Sequence, residues 1–394
     1  MQKRIIAPAS TIKAVTSSPT TLRWCLLVFL VYLMLLAVGL IGYGFKEATQ
    51  EQAKALFELA ANPVMGLIIG MVCTALIQSS STVSSIIVAM VAGGLPISIA
   101  IPMMMGANIG TSITNTIVSL GHIGNKAEFQ RAFNAATIHD FFNIFAVLIF
   151  LPLEIMFGIF EHISAAMVSL VASGATAEMG GFNPIKASTA PVIEFVKGLL
   201  VNTNEIYSGC IKIVLGLALI IISITWMGKI MKSLMIGRVQ DILKSALGKG
   251  SVTGISSGAI MTILIQSSST TTSLLIPLVG NGIVTARSIY PFTLGANIGT
   301  CITALIAALA IVGPNAELAL QIAFVHLAYN VLSVVVIYGI ALLREWPPNL
   351  SYQLSLKVAD RKIYGLAYII GLFFLLPLGA VFIVSPVRLC SLKL

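Results

Sequence analysis

The chain has 394 residues, of which 57% are hydrophobic and only 9% are charged. Soluble domains carry about 25% charged residues, so this composition excludes an ordinary soluble fold and predicts an all-α polytopic membrane protein. The net charge of +9 does not predict nucleic-acid binding, because the basic residues lie at the ends of apolar segments, as the positive-inside bias produces. The five cysteines are scattered and favour neither a metal site nor a disulfide framework.

The N-terminal part of the chain predicts one membrane span and a surface helix. Residues 1–23 contain lysine and arginine but no acidic residue, which predicts a cytoplasmic N-terminus. A charge-free apolar run makes 24–44 the first span, and this run is longer than the core of a cleaved signal peptide. Charged and apolar residues are mixed over 45–62, a pattern typical of an amphipathic helix on the membrane surface.

The next apolar stretch, 63–95, is interrupted by Gln-Ser-Ser-Ser-Thr at 78–82. Each flank is shorter than the roughly 20 residues that cross a bilayer, so we expect a re-entrant hairpin of two short helices that meet at a polar tip. Two spans follow. One is expected at 132–153, and the other at 97–121, where Gly106 and Gly110 are expected to break the helix.

The second half repeats this pattern after a connector over 161–204, which is expected to lie outside the membrane. A span over 205–228 leads back, and Lys212 near its start is expected to extend to the membrane surface. The strongly basic tract 229–250 is predicted to be cytoplasmic. The remaining predicted elements are a hairpin over 253–283, spans over 288–311 and 319–343, a basic tract over 344–362 and a last span over 363–385.

These elements divide the chain into two repeats and an additional C-terminal helix. Three spans make an odd number of crossings, so the second repeat is predicted to be inverted relative to the first. The predicted boundaries are a cytoplasmic N-terminus over 1–23, a first transmembrane repeat over 24–160, an external connector over 161–204, a second repeat over 205–343, and a cytoplasmic linker with a final transmembrane helix over 344–394.

Two polar motifs occur twice at matching places. Residues 74–82 return at 262–270 with eight of nine positions identical, and Gly-Ala-Asn-Ile-Gly-Thr at 106–111 returns at 295–300. The copies are offset by 188 and 189 residues, so a long unit has been duplicated. Such paired polar clusters indicate a substrate site between transporter repeats. Hydrogen bonds from the hydroxyls to their own helices are the alternative, which the repetition of a whole polar block disfavours.

The polar stretches 74–85, 106–116, 262–273 and 295–305 contain no Lys, Arg, Asp or Glu. Their amide, hydroxyl and backbone oxygens suit hard cations such as sodium, and helix N-termini suit an anion. An anion held without lysine or arginine needs positive charge from bound cations, so the sequence favours co-transport. The candidate cation ligands of the stretches 106–116 and 295–305 are Asn108, Thr111, Thr114, Asn297, Thr300 and Thr303.

Asp140 lies deep in a predicted span, and acidic residues within the membrane are functional by default. The motif His-Asp-Phe-Phe-Asn at 139–143 matches His326 and Asn330 in the second half, where Leu327 replaces the acid. An acid in one half only favours a cation site without a symmetric twin, and pairing with the adjacent histidine is the structural alternative. Both histidines are expected to pack or hydrogen-bond rather than to bind a metal.

A membrane-embedded hydrolase that uses a serine with His139 and Asp140 is the rival class. Neighbouring residues on a helix point about 100° apart, so these two side chains cannot form a relay in sequence order. We therefore predict a carrier with no enzymatic activity and no cofactor, for which sodium is a co-substrate.

The doubled Gln-Ser-Ser-Ser (78–81 and 266–269), the doubled Gly-Ala-Asn-Ile-Gly-Thr and His-Asp-Phe-Phe-Asn at 139–143 resemble the type II sodium-dependent phosphate cotransporters. The resemblance covers both repeats, about 60–155 and 253–340. It implies uptake of inorganic phosphate by alternating access, driven by the inward sodium gradient. The size is similar to that of bacterial members, which implies a multi-pass protein of the bacterial inner membrane.

The resemblance also implies roles for individual residues. Asp140 and Asn143 imply electrogenic transport with an additional sodium ion. The implied phosphate site consists of Gln78, Ser79, Ser80, Ser81, Gln266, Ser267, Ser268 and Ser269. The implied second-repeat sodium site consists of Gln266, Ser267, Thr300 and Thr303.

The chain departs from the animal members of this family in its connector. Those members have a long external loop with cysteines and glycosylation sites, whereas 161–204 is short and cysteine-free, so no loop disulfide carries over. The family's cytoplasmic C-terminus is preferred to the outward placement of 386–394 that the span count gives. The expected partners are phosphate, sodium, the lipid bilayer and a second copy in a homodimer, without nucleic acid. A sodium-coupled carrier of sulfate or arsenate is the runner-up.

Overall fold

The computed structural model describes residues 20–48, 62–175, 184–246, 250–311 and 315–384. Within these ranges the regular structure is helical and no strand occurs, which confirms the all-α prediction. The N-terminus up to residue 19, most of the predicted surface helix at 45–62 and the chain after residue 384 lie outside the described residues. The predictions for those segments stay predictions.

The helices follow the duplicated pattern of the sequence. The first half contains α1 (Thr20–Ala48), α2 (Pro63–Ile77), α3 (Ser80–Ala92), α4 (Ile97–Thr111), α5 (Ile113–Ser119) and α6 (Lys126–Phe157), and the connector contributes α7 (Ile159–Ala175) and α8 (Pro184–Leu199). The second half contains α9 (Glu205–Ala246), α10 (Ser251–Ile265), α11 (Ser268–Ser273), α12 (Ile276–Gly280), α13 (Ala286–Leu309) and α14 (Ala316–Ser333). The chain continues with α15 (Ala341–Asp360), α16 (Ile363–Ile370) and α17 (Leu376–Val384).

Seven helical segments of the described chain are long and apolar enough to cross a membrane. Three lie in each half and one near the C-terminus, as the sequence predicts. By contrast, α2, α3 and α10 are apolar but have only 15, 13 and 15 residues, fewer than a span requires. The seven segments are Thr20–Ala48, Ile97–His122, Lys126–Phe157, Glu205–Met231, Ala286–Leu309, Ala316–Tyr338 and Ile363–Ala380.

Glycines allow α2 to cross α4, and α10 to cross α13, at backbone contact. A Cβ on Gly106 would lie 1.9 Å from the carbonyl oxygen of Leu67, and one on Gly295 would lie 1.8 Å from that of Ile255. Helices in lipid associate through such close packing of small residues. The predicted break at Gly106 and Gly110 is wrong, because α4 continues through both and ends at Thr111. These glycines are required by the helix crossing.

The first helices of the two halves, α1 and α9, also pack along each other. Gly44 and Gly209 face one another, and a Cβ on either would lie 2.6 Å from the carbonyl oxygen of the other. Lys212 of α9 donates to Glu47 Oε1 of α1 at 2.6 Å, and only 3% of the Lys212 side chain is exposed. This carboxylate supplies Lys212 with a partner inside the helix interface, and the predicted extension of Lys212 to the membrane surface stays a prediction.

Two regions predicted as connecting segments are largely helical. In the connector, α7 packs against α14 and α8 packs against α1. In the tract 344–362, α15 packs along α6 although it contains Pro347 and Pro348, which are both buried. Composition alone could not predict these helices, because packing against neighbouring spans stabilises them. Their predicted sides of the membrane stay predictions.

Candidate functional site

The two Gln-Ser-Ser-Ser segments have the same backbone geometry. Gln78 ends α2 with φ 57° and ψ 29°, and Gln266 ends α10 with φ 57° and ψ 27°. They are the two non-glycine residues with positive φ in the described chain. This left-handed conformation costs a residue with a side chain about 1–2 kcal/mol, and it turns each chain sharply away from its first helix.

A serine then begins the next helix in both segments. Ser79 Oγ accepts from Thr82 N at 3.3 Å, and Ser267 Oγ accepts from Thr270 N at 3.2 Å. In both copies the serine Oγ also lies 2.9 Å from the threonine Oγ1. These contacts are N-caps, so each polar segment is a helix–break–helix unit with serines in its first turn. We call the two segments 78–82 and 266–270 the first tip and the second tip.

The surroundings of the tips differ. In the second tip, Thr303 Oγ1 donates to Gln266 Oε1 at 2.9 Å, and Gln266 is half-buried. In the first tip Gln78 is exposed, and the Oγ1 of Thr114, which matches Thr303, is buried without a hydrogen-bond partner. The structure therefore brings two predicted sodium ligands, Gln266 and Thr303, together in the second half. The predicted ligand Ser267 follows Gln266 directly.

Threonine hydroxyls line both helix crossings. Thr111 Oγ1 donates to Ala107 O and Thr300 Oγ1 donates to Ala296 O, each at 3.0 Å. Thr74 and Thr262, which begin the repeated nonapeptides, have buried Oγ1 atoms without a partner. The sequence reasoning did not select these two residues, although their position in the repeated motif was a usable signal.

A buried hydrogen-bond network connects the halves. In one branch His139 Nε2 donates to Asn297 Oδ1 at 2.6 Å, and Asn297 Nδ2 donates to Asn143 Oδ1 at 2.8 Å. The other ring nitrogen of His139, Nδ1, lies 3.5 Å from Nδ2 of Asn115. Asn115 Oδ1 in turn accepts from Thr272 Oγ1 at 2.9 Å. This branch connects α6 to α13 and the second tip's helix α11 to α5.

The second branch has the same form with the halves exchanged. His326 Nε2 donates to Asn108 Oδ1 at 3.1 Å, and Asn108 Nδ2 donates to Asn330 Oδ1 at 2.8 Å. Asn143 Nδ2 joins the branches by donating to Asn108 O at 2.8 Å. The prediction that the two histidines are hydrogen-bonding residues is confirmed. The predicted cation ligands Asn108, Asn143 and Asn297 are members of this network, and their sodium role stays a prediction.

Asp140 is fully buried in α6. Its Oδ2 accepts from Thr116 Oγ1 at 3.3 Å and from Tyr368 Oη at 2.9 Å, whereas its Oδ1 has no partner. Asp140 does not pair with His139, because the His139 imidazole contacts Asn297 and Asn115 instead. Tyr368 lies in the C-terminal helix α16, and no sequence pattern connected it to Asp140.

The distal ends of the hairpin helices are held by side chains of the opposite half. Arg131 donates to Gly280 O from Nε at 2.9 Å and from Nη2 at 2.7 Å. At the matching place, Asn315 Nδ2 donates to Ala92 O at 3.0 Å. A charged, two-pronged contact holds the end of α12, while a single neutral contact holds the end of α3.

The arrangement also bears on the hydrolase alternative. His139 and Asp140 have separate sets of partners, as given above, and do not form a relay. A Gly-x-Ser-x-Gly pattern is present at 254–258, but it lies inside the continuous helix α10. The nucleophile elbow of hydrolases requires a sharp strand-to-helix turn at that motif, so the pattern at 254–258 does not serve as one.

The chain is similar in sequence to known proteins over most of its length. The family model described as Na+/Pi-cotransporter matches residues 33–172 and 219–344. Sodium-dependent phosphate transport protein 2A of Oryctolagus cuniculus is 32% identical over 91% of this chain and 67% of its own length. Sodium-dependent phosphate transport protein 2B of Homo sapiens is 31% identical over 90% of this chain and 64% of its own length. No solved structure matches the chain.

Proposed function

This chain belongs to the Na+/Pi-cotransporter family, and on that premise we propose that it imports inorganic phosphate by electrogenic symport with sodium. It is a multi-pass membrane transporter and not an enzyme. The observation that carries the proposal is the pair of tips, which have the same backbone geometry and are each followed by a helix with a serine N-cap. Two equivalent polar breaks in apolar helices fit the two sides of one substrate site.

In this proposal neutral groups of both tips bind phosphate. Serine hydroxyls and the first-turn N–H groups of α3 donate to phosphate oxygens, and the glutamine amides add further donors. Because none of these groups is charged, a multivalent anion at membrane depth requires sodium beside it. The proposed phosphate-binding residues are Gln78, Ser79, Ser80, Ser81, Gln266, Ser267, Ser268 and Ser269.

The second-half sodium site is proposed at the contact between Gln266 and Thr303. Both side-chain oxygens are within hydrogen-bond distance of each other, and the Ser267 and Thr300 hydroxyls complete a set of neutral oxygens of the kind that sodium prefers. In the first half the corresponding oxygens belong to Asn108, Thr111 and Thr114. Asn297, in the second half, is a further proposed sodium ligand through its side-chain amide.

A further sodium ion is proposed at Asp140. The Oδ1 atom of this fully buried carboxylate has no partner, and a buried negative charge is costly unless a cation neutralises it. Asn143 lies one turn later on α6 and is the second proposed ligand. A negative charge in only one half explains why the transport cycle would move net charge.

The proposed architecture is two inverted repeats with re-entrant hairpins at α2–α3 and α10–α12. The short hairpin helices and the exchange of contacts between the halves support it. Movement of the hairpin-bearing unit against the other spans, by rocking or by an elevator-like slide, would give alternating access. The proposed location is the bacterial inner membrane, and the proposed assembly is a homodimer.

Uptake of radiolabelled phosphate into proteoliposomes tests the function. We expect accumulation with an inward sodium gradient and none with potassium or choline in its place. Unlabelled sulfate and arsenate, added as competitors, separate the proposal from its runner-up. Equal phosphate uptake in all cation gradients would contradict sodium coupling, and stronger competition by sulfate than by unlabelled phosphate would contradict phosphate as substrate.

A further inference from the structure

The carboxylate of Asp140 has one satisfied and one free oxygen. Two donors, Thr116 and Tyr368, are neutral hydroxyls that both contact Oδ2, and the hydroxyl of Ser112 also lies near the carboxylate. In the described chain no Lys, Arg or His nitrogen forms an ion pair with this carboxylate. The residue is fully buried. Within the described chain, the site therefore has a free acceptor for a cation and no positively charged side chain that pairs with it.

Tyr368 packs against two phenylalanines where it contacts Asp140. Its ring packs edge-on against Phe133, with centroids 6.0 Å apart and an interplanar angle of 71°. On another side it lies near Phe141, with centroids 6.5 Å apart. A tyrosine side chain has only two torsions, and contact with two aromatic rings limits the directions in which its hydroxyl can point. The hydroxyl therefore meets Oδ2 in a restricted range of directions.

Both members of this contact lie outside the two-fold pattern of the chain. Leu327 stands at the position that matches Asp140 in the second half. Helix α16 follows the second repeat and has no counterpart in either half. Helix α16, which belongs to neither repeat, thus contacts Asp140, an acid that only one repeat contains.

We propose that Tyr368 is a positioning residue for sodium at Asp140, so that the C-terminal helix completes this cation site. Its O–H occupies Oδ2 and fixes the plane of the carboxylate, which leaves Oδ1 as the oxygen that binds the ion. This inference rests on the sodium site proposed above. It adds a residue and a helix outside both repeats to that site.

Sodium binding to the purified full-length protein, followed through sodium-dependent thermal stabilisation, tests the proposal without using phosphate. A ligand that binds the folded state raises its apparent melting temperature, and choline chloride controls for ionic strength. In Tyr368→Phe, which removes only the O–H, we expect the sodium concentration for half-maximal stabilisation to rise about three- to tenfold, because the plane of the carboxylate is no longer fixed for the ion. The matched control Tyr364→Phe changes an exposed tyrosine one turn earlier on α16 and should behave as wild type.

The same substitution in an Asp140→Asn background separates positioning from packing. If Tyr368 acts through the carboxylate, Asp140→Asn and the double variant Asp140→Asn/Tyr368→Phe should have the same half-maximal sodium concentration for thermal stabilisation. In uptake, Tyr368→Phe should raise the half-saturating sodium concentration while the half-saturating phosphate concentration at saturating sodium stays within about twofold.

Three results would overturn the inference: a wild-type sodium curve in Tyr368→Phe, an equal shift in both backgrounds, or no sodium stabilisation of the wild-type protein. If the wild-type protein shows no phosphate uptake but is stabilised by sodium, and Tyr368→Phe shifts that sodium dependence as expected, the proposed function is contradicted and the role of Tyr368 is not.

Discussion

The two tips are near copies, but their surroundings are not. Gln78 and Gln266 share φ 57°, and their serine caps agree within 0.1 Å. Yet Gln266 accepts a hydrogen bond from Thr303 while Gln78 is exposed, and the acid Asp140 corresponds to Leu327 in the other half. The local sequence determines the shape of each tip, whereas contacts from distant segments determine which ions each half can bind.

Substitutions at the two helix crossings should destabilise the protein equally in both halves, and more than any other change considered. In Gly106→Ala the new Cβ would meet the Leu67 carbonyl oxygen at 1.9 Å, and in Gly295→Ala it would meet that of Ile255 at 1.8 Å. Backbone atoms cannot move aside cheaply, so we expect each change to cost about 3 kcal/mol or more and to abolish recovery of folded protein. Size-exclusion profiles and apparent melting temperatures measure this.

Gly121→Ala is the control, because a Cβ there meets nothing within 4 Å. A well-folded Gly106→Ala with an unfolded Gly295→Ala would show that the crossings are not equivalent.

The largest functional difference between the halves should come from Asp140, which has no acidic counterpart in the second half. Asp140→Asn keeps the shape of the side chain and removes its charge, so we expect transport currents to fall to background while some sodium-dependent phosphate uptake continues. Solid-supported membrane electrophysiology and isotope uptake on the same preparation measure the two quantities. Unchanged currents in the variant would remove Asp140 from the account.

The tip serines should affect binding more moderately. Ser79→Ala and Ser267→Ala each remove an N-cap, at a cost of about 1 kcal/mol, and a proposed ligand oxygen. We expect the half-saturating phosphate concentration to rise about tenfold in both. Because the second tip also contacts Thr303, only Ser267→Ala should raise the half-saturating sodium concentration as well.

Uptake kinetics at varied phosphate and sodium check both variants, with Ser169→Ala on the exposed face of α7 as the control. Wild-type kinetics in both tip variants, at normal membrane levels, would count against the site.

The anchors at the hairpin ends should show the smallest difference. Arg131→Gln removes a charged contact to Gly280 O, and Asn315→Ala removes a neutral one to Ala92 O. Since hydrogen bonds that involve charge contribute about 1.5–3 kcal/mol and neutral ones about 1 kcal/mol, the first variant should melt at the lower temperature. Lys126→Gln, which breaks an exposed ion pair with Asp360, should change stability by less than 1 kcal/mol. The opposite order of Arg131→Gln and Asn315→Ala would contradict this ranking.

Hydropathy and duplication sufficed to predict the seven spans and both helix–break–helix segments, because these features follow from local composition and from a motif that occurs twice. The pairing of Lys212 with Glu47 and the contact of Tyr368 with Asp140 join residues 165 and 228 positions apart. No periodicity in one sequence encodes such contacts. The roles of Gly106 and Gly295 were missed for the same reason, since a glycine that permits a crossing looks like a glycine that ends a helix.

The central claim is that two tips without charge bind a multivalent anion only when sodium is bound beside it. Isothermal titration of the purified protein with phosphate, in sodium chloride and in choline chloride at equal ionic strength, tests it directly. The account predicts saturable phosphate binding in sodium and no detectable binding in choline. Equal affinity for phosphate in both buffers would contradict it.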